Sequence, residues 1–446
     1  MTRPPGPPNP PIVGHLRAFR RNPLEFLSSI VREYPDLCYF RLGNQHLYFV
    51  NQPDLIKEVL VNQQPSFRKS RILQRSKILL GEGLLTSEGE HHLRQRRLVQ
   101  PAFHRDRLAG YASSMTDLAA RTASAWKHGD VRDIHQEMAR LTLAIVARTL
   151  FSADVDAEAE MVGKSMTEVI GLYRLALLPF SEYLIKMPLP ATRRFQAAKS
   201  QLDRIIYRVI EDRRRSREDA GDLLSMLVLA QDEEGGSGGM TDQQVRDETL
   251  TLFLAGHETT ANALTWAWYL LSQNPAAEVA FHRELDTAIG NRLPTMDDLP
   301  HLPFTRGVLA ESMRLFPPAW AIGRMAVCDV SLSGYRIAKG EIVLMSPFVT
   351  HRDPRFWVNP EEFDPKRFRP EQELERHRFA YYPFGGGSRV CIGERFAWME
   401  GILALAVIGK RWKLRLKAGE KVEPIAQITL RPRNGMKMHI ESRASG

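Results

Sequence analysis

From about residue 90 to residue 325, apolar positions return every three or four residues, the period of a helix with one buried face. Strand-like patterning is confined to two places. Tyr39, Phe40, Arg41 and Leu42, then Gly43-Asn44, then residues 46–50 predict a hairpin. Residues 330–337 and 341–345, separated around Gly340, predict a second pair of strands. The best-defined helix begins at Thr241, which makes a capping box with Gln244 three residues on. It should end before Pro275, because proline disfavours helix in the residue ahead of it. That is about 30 residues, or roughly 45 Å of helix, long enough to cross a domain with its middle buried. The expectation is a mainly α protein with small sheets near each end of the sequence.

Residues 231–239, QDEEGGSGG, are the clear low-complexity segment. They read as a flexible surface loop, about 231–240, between two helical segments and not as a boundary. No internal repeat is found, so residues 1–446 are expected to form a single domain, large enough to enclose a cofactor. The proline-rich start lacks the apolar core of a signal peptide or anchor, and no run is long and apolar enough for membrane insertion. Composition is ordinary for a globular chain, 43% hydrophobic and 25% charged. The formal charge of +9 arises from 61 basic and 52 acidic residues. Its densest run, RRRSR at 213–217, is flanked by acids and reads as a helix surface. That argues against nucleic acid and fits an acidic protein partner better. Cys38, Cys328 and Cys391 are odd in number and lack zinc spacing, which points to a reducing, cytoplasmic setting. A monomer is expected.

Three motifs carry chemistry. Ala255-Gly256-His257-Glu258-Thr259 sits in the middle of the long helix, where Gly256 costs about 1 kcal/mol relative to alanine. Glu258 and Thr259 would cost more if buried without partners. Either this is an exposed turn, or the helix opens locally beside a cavity. In the second case an acid and an alcohol could pass protons, and Ala255 and Gly256 would leave space for a bound molecule. His257-Glu258 also begins a zinc-protease motif, but Ala261 stands where the second histidine belongs. Glu311 and Arg314 share a helix face. They make a surface pair or, among Val308, Leu309, Met313 and Phe316, a buried one that needs a third partner, for which Arg367 is the candidate. FGGGSRVCIG, residues 384–393, surrounds one cysteine with chain that can approach something very closely.

In this order the motifs resemble those of the haem-thiolate monooxygenases, the cytochrome P-450 superfamily, over nearly the whole chain. The cysteine loop is the most specific part, with Phe384, Gly387, Arg389, Cys391 and Gly393 at the family's fixed positions. Ala255, Gly256, Glu258 and Thr259 match the helix motif, and Glu311, Arg314 and Arg367 the charged triad. The resemblance implies a single helix-rich fold with small β-sheets, holding haem b between the long helix and the loop, with Cys391 as thiolate ligand. A helix is expected from Glu394 onward, placing Cys391 at its positive end, where a thiol pKa is lowered. The loop glycines would make room for iron and porphyrin. His92, Arg96, Arg324 and Arg389 would meet the haem propionates, although many relatives carry tryptophan where this chain has His92. Thr259 and Glu258 would deliver protons.

The implied reaction inserts one atom of O2 into a C–H or C=C bond, thiolate ligation favouring O–O cleavage. Electrons would come from NAD(P)H through a separate reductase and a ferredoxin or flavodoxin, because no flavin or nicotinamide fingerprint is found. A peroxygenase, an isomerase or a non-catalytic haem sensor on the same fold are the alternatives, and Glu258-Thr259 favours dioxygen activation. The family's variable regions fall here at 72–85, 172–189 and 318–322, and all are apolar. They suit a hydrophobic substrate such as a fatty acid, alkane or terpenoid, or else they pack the core. Arg68, Lys69 and Arg71 read as solvated surface, with anchoring of a carboxylate as the alternative.

Overall fold

The computed structural model describes residues 3–151, 187, 189–216, 218–230 and 238–443. Most of the second apolar region, 172–186 and 188, and most of the low-complexity loop, 231–237, lie outside the described residues. The long helix spans Asp242–Gln273. Its capping box forms as expected: Gln244 N donates to Thr241 Oγ1 at 3.2 Å and Thr241 N donates to Gln244 Oε1 at 3.0 Å. It ends at Asn274, ahead of Pro275, which starts the next helix.

A helix that is buried along most of its length must be surrounded by others, and away from its ends and residues 254–259 this one is. Ala261, Leu264, Trp266, Ala267 and Leu271 from its C-terminal half join Met115, Leu309, Leu403 and Ile408 in the main core. These come from helices Arg105–Ser124, Pro303–Leu315 and Glu394–Arg411. Its N-terminal half joins a second core with Leu79, Leu80, Leu84 and Leu202. Those three leucines of the first variable region are therefore core residues, while Leu73, Ile78 and Leu85 keep partial exposure. The basic run ends helix Pro190–Ser216, and its arginines pair with acids, Arg213 with Asp222 and Arg214 with Asp242. Residues 213–216 are a helix surface as expected, and Arg217 lies outside the described residues.

The main sheet joins the two ends of the chain. Its strands are β1 (Leu37–Leu42), β2 (Gln45–Val50), β3 (Phe67–Lys69), β4 (Ile322–Ala326) and β5 (Ile342–Met345), in the order β1-β2-β5-β4-β3. The hairpin β1–β2 forms as predicted, with Gly43 at φ +63° in its turn. The second predicted pairing does not form. Residues 330–337 fold on themselves, Val330–Leu332 against Tyr335–Ile337, around Ser333 and Gly334 at φ +49° and +80°. Two consecutive positive φ values match the twist of a tight hairpin, so the local turn captures both halves of the run. β5 instead lies parallel to β2 and antiparallel to β4. Antiparallel pairing of β3 with β4 sets Lys69 opposite Arg324.

Among the described residues, no helix is long and apolar enough to cross a membrane. All three cysteines are free, and burial pushes the Cys38 thiol up to about 12.

A candidate active site between the cysteine loop and the central helix

Glu311 and Arg314 are fully buried. Arg314 uses all five of its N–H groups. Nε and Nη2 donate to the Glu311 carboxylate at 2.5 and 2.8 Å, and the remaining three bonds go to the carbonyls of His351, Pro360 and Glu362. Arg367 completes the triad, with Nε 3.3 Å from Glu311 Oε1, and Asp364 N donates to the same oxygen. Of the two readings open in the sequence, the buried one is correct. The five bonds satisfy the condition under which a buried ion pair is tolerated.

The cysteine loop leads into helix Glu394–Arg411. Cys391 N donates to Phe384 O at 3.0 Å and closes it, and Phe384 packs against Trp398. Gly387 has φ +68°, and a Cβ there would lie 2.0 Å from Leu60 O. A Cβ on Gly386 would lie 2.6 Å from the Phe379 ring. Gly387 therefore makes room for a protein neighbour and not, as the motif suggested, for iron and porphyrin, and Gly386, which the family pattern leaves unexplained, does the same. Cys391 retains accessible surface although protein surrounds it almost completely, so its open side faces an interior space. Burial raises its thiol pKa to about 11, outweighing the Gly393 backbone N–H and Arg96, which lower it. The helix end alone does not supply a thiolate.

Basic groups converge on this loop. Arg96 Nη1 donates to Val390 O at 2.8 Å. Arg389 donates to Ser87 O and pairs with Glu88. Arg324 lies half-buried beside them, and desolvation followed by the charge of Arg389 lowers it to about 10. Its one hydrogen bond among the described residues is to the adjacent Gly323 O. Lys69, read from sequence as solvated, belongs to the same group. It is 6% exposed, donates to Leu84 O at 2.8 Å and to Leu85 O, and is lowered to about 6 by burial and then by Arg389. The available signal was strand alternation: Phe67 and Lys69 point in, while Arg68 is exposed, as is Arg71. His92 is buried in helix Gly89–Val99, with Nε2 lacking a partner among the described residues. Burial and then Arg389 lower its pKa to about 3, so it is a neutral N–H donor and not a cation.

The central helix stays continuous through residues 255–259, so of the two readings the local opening does not occur. Thr259 Oγ1 donates to Ala255 O at 2.6 Å within the intact helix. A Cβ on Gly256 would lie 3.0 Å from Val146 Cγ2. Gly256 thus admits helix Ile134–Phe151, not a bound molecule, whereas Ala255 is exposed in the middle of the helix, between half-buried Leu254 and Gly256. Glu258 Oε1 accepts from Thr429 Oγ1 at 2.7 Å. Thr429 comes from the turn between strands Pro424–Ala426 and Leu430–Pro432, which the sequence did not associate with the site.

Haem fits these residues. No group of three His, Cys, Asp or Glu that could hold a metal exists among the described residues, so a metal at Cys391 must bring further ligands with it. A porphyrin does so. Around Cys391, buried Lys69 and half-buried Arg96, Arg324 and Arg389 outnumber the acids near them, Glu88 and Glu248, and suit two further carboxylates. The family model named Cytochrome P450 matches residues 4–439. The chain belongs to the cytochrome P450 family. It is 44% identical to cyclooctatin synthase of Streptomyces melanosporofaciens, over 94% of this chain and 92% of that one. It is 35% identical to pentalenene oxygenase of Streptomyces avermitilis, over 98% and 96%. The P450 fold extends to the crystal structure of the cytochrome P450DA haem domain, with a TM-score of 0.89, 26% identity and coverage of 100% and 98%. As a P450, the protein is a haem-thiolate monooxygenase that inserts one atom of O2 into a hydrophobic small molecule. It uses haem b, with electrons supplied by a reductase system.

Proposed function

We propose that Cys391 ligates the haem iron and that Arg96, Arg324, Arg389, Lys69 and neutral His92 receive the two propionates. The observation that carries this reading is the cluster of buried and half-buried basic groups around one cysteine, Arg96 and Arg389 bonded into its loop and Lys69 paired across the sheet with Arg324, whose repulsion two carboxylates would relieve. Phe384, Gly387 and Gly393 shape the loop, and Ala255 faces the haem from the central helix. Glu311, Arg314 and Arg367 anchor the fold beneath it, within a single domain. When bound, haem supplies the oxygen chemistry, with thiolate ligation favouring O–O cleavage. The chain's own residues orient the substrate, exclude water and move protons. The Thr259 hydroxyl donates to Ala255 O, which leaves its lone pairs to accept from water. Glu258 exchanges that water's protons with solvent.

The substrate is a terpenoid-like hydrocarbon or alcohol, the kind of molecule written into the name of a third relative, cyclooctat-9-en-7-ol 5-monooxygenase of the same Streptomyces melanosporofaciens. Apolar residues support this, with accessible surface at Leu85, Ala255, Ala319, Ile322 and Ile428. Electrons arrive from an acidic ferredoxin or flavodoxin. Arg97 and Arg395, exposed next to Arg96 and the cysteine loop, favour such a partner, as does the net charge of +9. The protein works as a monomer in the cytoplasm.

The test is the reduced, carbon-monoxide-bound spectrum, followed by product analysis with a surrogate ferredoxin and reductase. Cys391→Ala should lose the long-wavelength Soret band of thiolate ligation; retention of that band would refute the ligand assignment. Hydroxylation of fatty acids but not of terpenoids would refute the substrate class. Product formation from peroxide alone, with none from the reductase system, would favour a peroxygenase.

A further inference from the structure

Glu258 and Thr259 are adjacent on the helix, yet their side chains have different partners. Thr259 Oγ1 bonds back to Ala255 O, while Glu258 Oε1 is held by Thr429 Oγ1 at 2.7 Å. Thr429 is itself fixed. Its Oγ1 accepts from Asn262 Nδ2 at 3.1 Å, and Asn262 is fully buried one helical turn after Glu258. A hydroxyl has one hydrogen to give. With Asn262 donating to Oγ1, that hydrogen is directed at Glu258. The turn carrying Thr429 is pinned on three sides. Trp320 Nε1 donates to Gln427 O, Trp266 Nε1 donates to Leu430 O, and Leu430 N donates to Pro318 O. The donor aimed at Glu258 is therefore preorganised by the tertiary fold and not by its own flexible loop. Ile428, beside it, is 41% exposed.

We infer that Thr429 is a positioning residue for proton delivery: with Asn262 behind it, it fixes the Glu258 carboxylate at one end of its range, from which Glu258 carries protons toward the Thr259 hydroxyl. This rests on the reading of Glu258 as the proton carrier. A carboxylate without this anchor samples other rotamers, and delivery to the distal side slows. Electrons that are not matched by protons then leave as peroxide, O2 + NADPH + H+ giving H2O2 + NADP+. With full delivery, O2 + 2 NADPH + 2 H+ gives 2 H2O + 2 NADP+.

The experiment uses the haem-loaded enzyme with a surrogate ferredoxin and reductase, without substrate, and measures peroxide formed per NADPH oxidised. Thr429→Val, nearly isosteric, should raise the peroxide share at least twofold while keeping the thiolate carbon-monoxide band. Thr429→Ser, which restores the hydroxyl, should return it to the parent value. Glu258→Gln should raise it too, and Glu258→Gln/Thr429→Val should be no worse than Glu258→Gln alone. If Glu258→Gln leaves the share unchanged, the proton-carrier reading fails and the inference falls with it. If Glu258→Gln raises it but Thr429→Val does not, only the inference is overturned. Failure of serine to rescue, additive effects in the double variant, or loss of the thiolate band in Thr429→Val would also overturn it, by making Thr429 a packing residue.

Discussion

Replacing Arg314 by methionine should come close to unfolding the protein. The side chain is fully buried and makes five hydrogen bonds, two of them to Glu311. Removing one member of a buried ion pair typically costs about 3–5 kcal/mol, because the other charge is left uncompensated. Arg367 Nε, 3.3 Å away, and the Asp364 N–H remain near Glu311 and limit that part of the loss. The carbonyls of His351, Pro360 and Glu362 also lose their donor. For the buried His351 carbonyl this costs about 1–3 kcal/mol, and less for the partly exposed carbonyls of Pro360 and Glu362, which can turn to water. Together these approach the total stability of a typical domain, about 5–15 kcal/mol. Arg314→Lys keeps a charge but supplies three donors where five are used, so it should fall between methionine and the parent. Glu311→Leu/Arg314→Met removes both charges and should recover the ion-pair part while leaving the carbonyls unsatisfied. The assay is the urea midpoint by far-ultraviolet circular dichroism, together with the yield of haem-loaded protein. A midpoint for Arg314→Met equal to that of the parent would refute the reasoning. So would a double variant less stable than Arg314→Met, since the charge left behind would then not be the main cost.

Three further outcomes follow from the same geometry. Gly387→Ala adds a Cβ 2.0 Å from Leu60 O at φ +68°, so the loop must shift, and the long-wavelength carbon-monoxide band should weaken sharply; an intact band would contradict the backbone constraint. Thr259→Ala should keep haem and the thiolate spectrum but release more peroxide per NADPH, and an unchanged ratio would argue against its role in proton delivery. His282 is buried with neither ring nitrogen hydrogen-bonded among the described residues, and burial, reinforced by Arg443, lowers its pKa from 6.5 to about 4. The unfolded chain therefore binds the extra proton between pH 4 and 6.5. Stability from this group is fully present above pH 6.5 and is lost as pH falls toward 4, by about 3 kcal/mol in all. His282→Leu should flatten the fall in urea midpoint between pH 6.5 and 5, and a variant as acid-sensitive as the parent would count against the assignment.

The sequence by itself determined whatever depends on local spacing. The capping box fixed the start of the central helix and Pro275 its end, because both act within one turn. The order of Ala255, Glu258 and Thr259, Glu311 and Arg314, and then the cysteine loop pointed to the family. What each residue faces was decided only by the tertiary structure. Gly256, Gly386 and Gly387 make room for Val146, Phe379 and Leu60, neighbours that sequence distance conceals. Lys69 looked solvated until β3 paired with β4 and set it opposite Arg324. His92 had the position of a cation, but burial among Arg389, Lys69 and Arg96 keeps it neutral. Thr429, 171 residues from Glu258, belongs to no motif. Hydrogen bonds and desolvation depend on distances of a few ångströms, and for pairs this far apart along the chain only the packed fold sets those distances.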